Sequence, residues 1–367
     1  MPNRVISKLV TAGLATLAVV SLSAVPASAQ TANPSAKSAV RRMPDGHPDL
    51  QGTYDLATMT PLERLPGLSA VLSKEQAEKL QKAEADRRTA DGGLLPKAGD
   101  KEGATSYFGL LEELGGGDVG GYNRQWLNQG TTYTMVDGQI RTSLVIDPPD
   151  GKVPPLNAAA KARRADSEAL PTSDAAEQSQ NEETAASRGE YDNPEQRPLS
   201  ERCILGFGST SGPPILPDYF YNDMHQIVQT PDNIMILTEM IHDARVVRMN
   251  REHLPKNIRR WMGDSVGHWD GDTLVIDTTN FTDKTRFRGS TENLHIVERL
   301  RRVDDKTLLY RFTVEDPLTW DRPWTGEMTW PATDKPILEY ACHEGNYALG
   351  DVMRGARHQE AEAAKAK

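Results

Sequence analysis

Residues 261–281 restrict the possible folds of this chain more than any other stretch. They contain an Asp270-Gly271 pair, which readily supplies the positive φ angles of a tight hairpin turn. The segment 273–281 that follows is rich in β-branched residues, as strands are. The sequence therefore predicts a hairpin here. It carries two tryptophans, four aspartates and one histidine, which is more polar chemistry than a purely structural hairpin needs.

Similar strand-like runs, several of them separated by turns of only two residues, occupy most of the chain after Cys203. The runs are 224–230, 233–241, 244–250, 266–269, 273–281, 293–302, 307–315 and 337–342. Closely spaced hairpins favour sequential antiparallel pairing, and a sheet of about eight such strands closes most simply as a barrel. The predicted fold is mainly β, an antiparallel meander that closes into a lipocalin-like β-barrel. A two-sheet sandwich is the alternative.

The N-terminal part of the chain predicts export. Residues 1–29 combine Arg4 and Lys8, an apolar run over 9–25 and an Ala27-Ser28-Ala29 cleavage site, as a secretory signal peptide does. Residues 30–121 are interpreted as an N-terminal extension with one helix over 73–91. The barrel domain is predicted over 122–357, followed by a polar tail over 358–367. We expect a periplasmic or secreted protein with no membrane span after cleavage.

A polar excursion over 157–200 is predicted to interrupt the barrel domain. It opens with a short helix, and residues 171–198 are then acidic, polar and almost without large apolar side chains. Such a segment buries too little surface to offset the entropy lost on ordering, which predicts disorder.

Charge and cysteine content narrow the possible partners and cofactors. The formal net charge is −10. Loss of the two cations in residues 1–29 makes it −12 (−10 − 2), which argues against a nucleic-acid partner. In an exported chain the two cysteines predict a Cys203–Cys342 disulfide. The sequence has neither a Gly-rich phosphate loop nor a Cys/His spacing typical of metal sites, so no cofactor and no metal are expected.

Strand register predicts which side chains point into the barrel, because successive residues of a strand face opposite sides. A turn at Pro231-Asp232 would pair Ile227 with Ile236, and a turn at His242-Asp243 would pair Met240 with Arg245. The resulting inward face consists of Ile227, Ile234, Ile236, Met240, Val247 and Met249, with His225, Thr238 and Arg245 among them.

A turn at Asp304-Asp305 would pair Glu298 with Arg311 in the next hairpin. This register predicts that His295, Arg299 and Tyr310 point inward and that Glu298 lies on the solvent face. In the 261–281 hairpin both faces are mixed, so the orientation of Asp264, His268 and Asp277 stays open.

Charged groups inside a barrel need an explanation, because a buried charge is costly unless it is paired. One interpretation is a structural polar layer in which Asp264 or Asp277 neutralises the arginines. The other is a water-open cavity with an anionic small molecule or saccharide as ligand. For this cavity the predicted catalytic residues are His225, His295 and Tyr310, and the predicted substrate-binding residues are Arg245, Arg299, Asp277 and Trp269.

Six sequence blocks between residues 122 and 357 resemble a family of exported bacterial β-rich proteins of uncharacterised function. The blocks are RTSLVIDPPDG (141–151), QIVQTPD (226–232), EMIHDAR (239–245), WMGDS (261–265), WDGDTLVIDTTNF (269–281) and YACHEGNY (340–347). The resemblance implies a shared fold unit over 122–357. It implies no activity, cofactor or catalytic residue.

Three functions are compatible with these features. The first is a cofactor-free enzyme, best described as a lyase acting on a carboxylate-bearing small molecule or saccharide. An arginine would neutralise the carboxylate while histidine and tyrosine exchange protons; a hydrolase using Asp264 and Asp277 is a variant. The second is a periplasmic binding or carrier protein without catalysis. The third is an envelope interaction module that docks through residues 171–198.

Overall fold

The computed structural model describes residues 40–89, 130–168, 191, 193–197, 199–206, 212–217 and 222–365. The chain divides into two units, residues 1–37 and 38–367, and the described residues all belong to the second. The predicted signal peptide, the last part of the predicted extension and the centre of the predicted polar excursion therefore lie outside the described residues.

Thirteen strands and three α-helices are formed by the described residues. In chain order they are β1 (Gly52–Asp55), β2 (Val71–Leu72), α1 (Lys74–Thr89), β3 (Met135–Val136), β4 (Gln139–Arg141), β5 (Val145–Asp147), α2 (Ala158–Glu168), β6 (Met224–Gln229), β7 (Asn233–Thr238), β8 (Asp243–Met249), β9 (Asp264–Asp270), β10 (Thr273–Thr279), β11 (His295–Asp304), β12 (Thr307–Glu315), β13 (Trp324–Thr333) and α3 (Ala348–Lys365). Short 3₁₀ helices span Pro194–Gln196, Met240–His242 and Phe287–Gly289.

Nine of these strands close into a β-barrel, as predicted. Strand order is β1-β6-β7-β8-β9-β10-β11-β12-β13, and β13 pairs with β1 to complete the circle. Strand β5 also pairs with β13, and β2, β4 and β3 form a separate small sheet. Because β1 closes the barrel, the barrel begins within the segment that was predicted to be an extension.

One pair of strands departs from the predicted antiparallel meander. Strands β8 and β9 run parallel, with Val247 opposite Ser265. Parallel neighbours cannot be joined by a two-residue turn, so residues 250–263 must cross over to return the chain to the same end. This crossover positions part of the candidate site described below.

The prediction was wrong about the last strand of the barrel. Residues 337–342 form no strand, whereas β13 was missed because Gly326, Glu327 and Pro331 lower its β-propensity. Glu327 is tolerated at 1 % exposure because Arg141 and Arg311 donate hydrogen bonds to it at 2.6 and 2.7 Å. The strand still alternates, since Trp324 and Trp330 are both buried in the barrel.

Aromatic side chains line the barrel interior. On the barrel strands, those with no exposed surface are Tyr54, Tyr310, Phe312, Trp324 and Trp330. Fully burying one large apolar side chain contributes about 1.5–3 kcal/mol. Burial of this alternating set contributes to the stability of the closed barrel.

The remaining elements lie around the barrel. Helix α1 begins at a capping box, in which Ser73 and Gln76 exchange hydrogen bonds of 2.9 and 3.2 Å. The predicted polar tail continues α3 as far as Lys365.

The predicted disulfide between Cys203 and Cys342 is present, with a Cα–Cα distance of 5.9 Å. Within the described ranges, none of the helices combines the length and apolar character that crossing a membrane requires.

Candidate functional site

The β11–β12 hairpin differs from the predicted register by one residue. Glu298 lies opposite Phe312 rather than Arg311, because the ladder is irregular between Arg302 and Asp304. A shift of one residue exchanges the two faces of a strand. The prediction that His295 and Arg299 point inward is therefore wrong, since both lie on the outer face of β11.

The same irregularity brings a different carboxylate into the barrel. Glu298 is fully buried, whereas it was predicted to face solvent. Tyr310 points inward as predicted, with no exposed surface.

The β6–β7–β8 part of the barrel follows the predicted faces. His225 pairs with Thr238, as predicted. Arg245 pairs with Ile236 rather than with Met240, because a 3₁₀ turn connects β7 to β8. The predicted register is thus wrong by four residues. Because four is an even number, each side chain of β8 still points to the predicted face. His225 and Arg245 are buried inside the barrel at 2 % and 5 % exposure.

The structure therefore separates the predicted site residues into two groups on opposite faces of the barrel wall. His225, Arg245 and Tyr310 lie inside. His295, Asp277 and Arg299 lie outside.

Trp269 is half-buried against the core, and its ring stacks on His47 with centroids 4.7 Å apart. His47 therefore covers one face of the ring of Trp269, which was predicted to bind the substrate.

Inside the barrel, the charged groups satisfy one another. Arg245 donates hydrogen bonds of 2.5 and 2.8 Å to the two carboxylate oxygens of Glu298, and Tyr310 donates a third, of 2.8 Å. The backbone N–H of Ile215 donates to the Tyr310 hydroxyl at 2.8 Å. Burial and the negative charge of Glu298 hold the pKa of Tyr310 well above its ordinary value, so Tyr310 stays protonated. The guanidinium of Arg245 is matched within the protein.

His225 differs from these neighbours because it forms no ion pair with any of the described residues. Burial, and to a smaller extent the positive charge of Arg245, lower its pKa to about 4 in spite of a backbone hydrogen bond to Asp223 that raises it. His225 is therefore a neutral imidazole at neutral pH.

A second polar cluster lies on the outer face of the barrel, and we call it the histidine–carboxylate chain. Its members, in order, are Asp264, His253, Asp277, His295 and Glu315. His253 contacts Asp264 through Nδ1 at 3.1 Å and Asp277 through Nε2 at 3.0 Å. His295 contacts Asp277 through Nε2 at 3.1 Å and Glu315 through Nδ1 at 3.5 Å.

Strand pairing explains why four of these side chains meet. Asp264 and Asp277 lie on the antiparallel strands β9 and β10, two register positions apart, and so point to the same side. His295 pairs directly with Glu315 at the ends of β11 and β12. The side-chain period of two places all four on the outer face.

The crossover between β8 and β9 supplies the fifth member, His253. The N–H of Leu254 donates to the Asp264 carboxylate at 2.9 Å, and Asn280 donates to the Leu254 carbonyl at 2.9 Å. These bonds hold His253 over β9 and β10. Sequence reasoning missed this residue because it lies outside every predicted strand. The sequence feature that could have indicated a crossover is the length of segment 250–263, which exceeds that of a hairpin turn.

Within the histidine–carboxylate chain, solvent exposure is lowest at Asp264 and highest at Glu315. The side chain of Asp264 is 1 % exposed, that of His253 29 % and that of Glu315 47 %. Arg248 donates to both oxygens of Asp264, at 3.0 and 2.9 Å, and compensates its buried charge. The buried end is therefore a fixed ion pair, and the His295–Glu315 end is open to solvent.

The pKa shifts within the histidine–carboxylate chain favour the ionised forms of Asp264 and Asp277 and the protonated form of His295. Burial raises the pKa of Asp277, but hydrogen bonds and charge from His295 and His253 outweigh it, so the net pKa is lowered. The pKa of Asp264 is lowered in the same way, by Leu254, His253 and Arg248 against burial. The hydrogen bond to Asp277 raises the pKa of His295, burial opposes it, and Glu315 adds to the rise.

His295 has the geometry of a proton-transfer group. Asp277 orients the ring through Nε2, while Nδ1 lies 3.5 Å from Glu315, beyond the usual 2.7–3.2 Å of a good N–H···O bond. The Asp277 carboxylate therefore fixes Nε2 of His295, and Nδ1 is directed at the half-exposed carboxylate of Glu315. The same division of roles occurs in general acid–base sites.

Arg299 does not belong to this cluster. It lies four residues beyond His295 on the same strand, a separation of about 13 Å. Its guanidinium pairs with Asp270 at 2.5 Å. The two arginines that were predicted to bind a substrate carboxylate thus each have a carboxylate partner in the protein.

No group of three or more His, Cys, Asp or Glu side chains among the described residues has a geometry that could hold a metal ion. Comparison of the chain with protein-family models, curated proteins and solved structures gave no match.

Proposed function

We propose that this chain is an exported, cofactor-free enzyme in which His295 and Glu315 exchange protons with a small substrate. The observation that carries the proposal is the orientation of His295, held by Asp277 at 3.1 Å while its other nitrogen faces Glu315 at 3.5 Å. The predicted signal peptide and the Cys203–Cys342 disulfide support a periplasmic or secreted location, because disulfides persist in oxidising compartments.

The proposed reaction is the elimination catalysed by a lyase. Glu315 removes the proton α to the substrate carboxylate, the C–H electron pair forms the new double bond, and the C–O bond to the leaving group breaks. His295 donates its Nδ1 proton to the departing oxygen. Because acid and base lie 3.5 Å apart on one side of the substrate, the elimination is syn. Transfer of the proton from Glu315 back to His295 then regenerates both groups.

The proposed substrate is a carboxylate-bearing small molecule or saccharide. Arg245 and Arg299 are paired with Glu298 and Asp270 and lie elsewhere. The positive charge that faces the substrate is therefore the imidazolium of His295, whose raised pKa retains the proton to a higher pH than in an ordinary histidine.

The test is a screen of the purified protein against β-alkoxy carboxylates, including uronate oligosaccharides, with ultraviolet absorbance of the new double bond as the readout. We expect His295→Gln and Glu315→Gln each to lower kcat by about 100-fold or more, the usual contribution of a positioned acid or base. Arg301→Gln is the control, because Arg301 is exposed on the same face of β11. Turnover that survives both site variants, or a well-folded protein that eliminates no substrate of this class, would refute the proposal.

A further inference from the structure

Two neighbouring side chains of the barrel interior each carry a buried polar atom without a hydrogen-bond partner among the described residues. His225 is 2 % exposed and Trp330 has no exposed surface, and their ring centroids are 5.8 Å apart. Neither Nε2 of His225 nor Nε1 of Trp330 has a hydrogen-bond partner among the residues that the structure describes. An unsatisfied buried polar group costs about 1–3 kcal/mol, so two in one place require a physical explanation.

The hydrogen-bonding character of the two atoms is complementary. Nδ1 of His225 lies 3.2 Å from the carbonyl oxygen of Asp223, which can only accept, so Nδ1 carries the proton. Nε2 is therefore a bare acceptor. Nε1 of Trp330 is an indole N–H, which can only donate. The pair offers one open acceptor and one open donor.

The surroundings do not favour an anionic occupant. Arg245 is the cation whose charge lowers the pKa of His225, and Glu298 already matches that charge. The rings of Tyr310 and Tyr54 lie 4.7 and 6.2 Å from the ring of Trp330. The Tyr310 hydroxyl donates to Glu298 and accepts from the Ile215 N–H, so it does not compete for a ligand.

We infer that the barrel interior binds a small uncharged molecule through a hydroxyl group held between His225 and Trp330. The hydroxyl donates a hydrogen bond to Nε2 of His225 and accepts one from the indole N–H of Trp330. Aromatic rings surround the rest of the molecule. This site lies on the opposite face of the barrel wall from the histidine–carboxylate chain and does not depend on the proposed lyase activity.

Trp324 provides a control within the same molecule. It is also fully buried, and its Nε1 also lacks a hydrogen-bond partner among the described residues. Its ring neighbours are Phe287, Phe312 and Trp320, none of which offers an acceptor nitrogen or oxygen in its side chain. A hydroxyl-bearing molecule therefore has no paired donor and acceptor to bridge at Trp324.

The experiment is an NMR titration of the ¹⁵N-labelled protein with 2-propanol. The six tryptophans give at most six indole signals, and Trp330→Phe identifies the one of interest. We expect a saturable shift of the Trp330 indole and of Nε2 of His225, with Trp324 unchanged. Acetone, of similar size but unable to donate, should leave Nε2 of His225 unaffected. In His225→Phe the apparent affinity for 2-propanol should fall about fivefold, equivalent to about 1 kcal/mol for one lost hydrogen bond.

Three results would overturn the inference. One is a non-saturating shift shared by all indole signals. Another is an equal response of Trp324 and Trp330. The third is a Trp330 signal that is already hydrogen-bonded and does not move, which would mean that only a bound water bridges the pair. The titration of the unmodified protein decides between these results even if a variant fails to fold.

Discussion

Arg245 and Glu298 form a bidentate ion pair inside the barrel, with N–O distances of 2.5 and 2.8 Å and side chains exposed by 5 % and 0 %. Removing one partner of such a pair leaves a buried charge uncompensated, and removing both does not. The pair is therefore a strict test of whether the inner polar layer is structural.

We expect Arg245→Met to destabilise the protein by about 3–5 kcal/mol, because Glu298 loses two of its three hydrogen bonds. The double variant Arg245→Met with Glu298→Met should be closer to the wild type than the single variant. Urea unfolding of the wild type, the two single variants Arg245→Met and Glu298→Met, and the double variant measures the coupling energy between the two side chains. Additive losses would contradict a buried pair.

The stability of the protein should depend on pH through His295 and Asp277. Folding raises the pKa of His295, so its contribution is complete below its unfolded pKa of about 6.5 and is lost as the pH rises through the folded pKa. Folding lowers the pKa of Asp277, so its contribution is present above about pH 3.9 and is lost as the pH falls through the folded pKa.

The stability difference between wild type and His295→Gln should therefore be greatest between about pH 4 and 6.5, where both groups are charged. We expect a difference of about 0.5–1 kcal/mol, since these half-exposed groups are screened by solvent. Unfolding free energies from urea titrations between pH 4 and 9 measure it. A difference that grows with rising pH would contradict the proposed protonation of His295.

Removal of the disulfide should destabilise the fold without disrupting the barrel. Cys203 and Cys342 are 139 residues apart, and in the chain-entropy model a loop of that length contributes about 5 kcal/mol, with about 2–4 kcal/mol typical of measured cases. We expect Cys203→Ala with Cys342→Ala to lower the unfolding free energy by that typical amount and to retain the β-rich circular dichroism spectrum. Titration of the denatured, unreduced wild type should find no free thiol.

The parallel β8–β9 contact depends on Gly267. A Cβ at this position would lie 2.8 Å from Cγ1 of Val247 and 2.9 Å from Sδ of Met249. Overpacking of this kind costs about 1–3 kcal/mol, so Gly267→Ala should lower the melting temperature by several degrees. Asp305→Ala is a suitable control, since Asp305 is exposed in the β11–β12 turn. Equal stability of the two variants would mean that the strands do not approach so closely.

Local patterns were sufficient for seven consecutive strands, β6 to β12, and for many of their faces. Alternating apolar residues and short turns predicted the strands from β6 to β12 and a closed barrel. The sequence alone also paired Cys203 with Cys342, because the chain has only two cysteines. A register error of four residues between β7 and β8 did no harm, because the side-chain period of a strand is two.

Only the tertiary structure decided which polar groups meet. One irregularity between Arg302 and Asp304 moves His295 to the outer face and Glu298 to the inner face, and no local propensity signals it. The neighbours of β8 and β13 depend on pairings between distant parts of the chain, such as the parallel contact of β8 with β9 and the closure of β13 onto β1. His253 enters the candidate site through that crossover. Sequence periodicity determines how a strand divides its side chains between two faces, but long-range pairing determines which faces share a site.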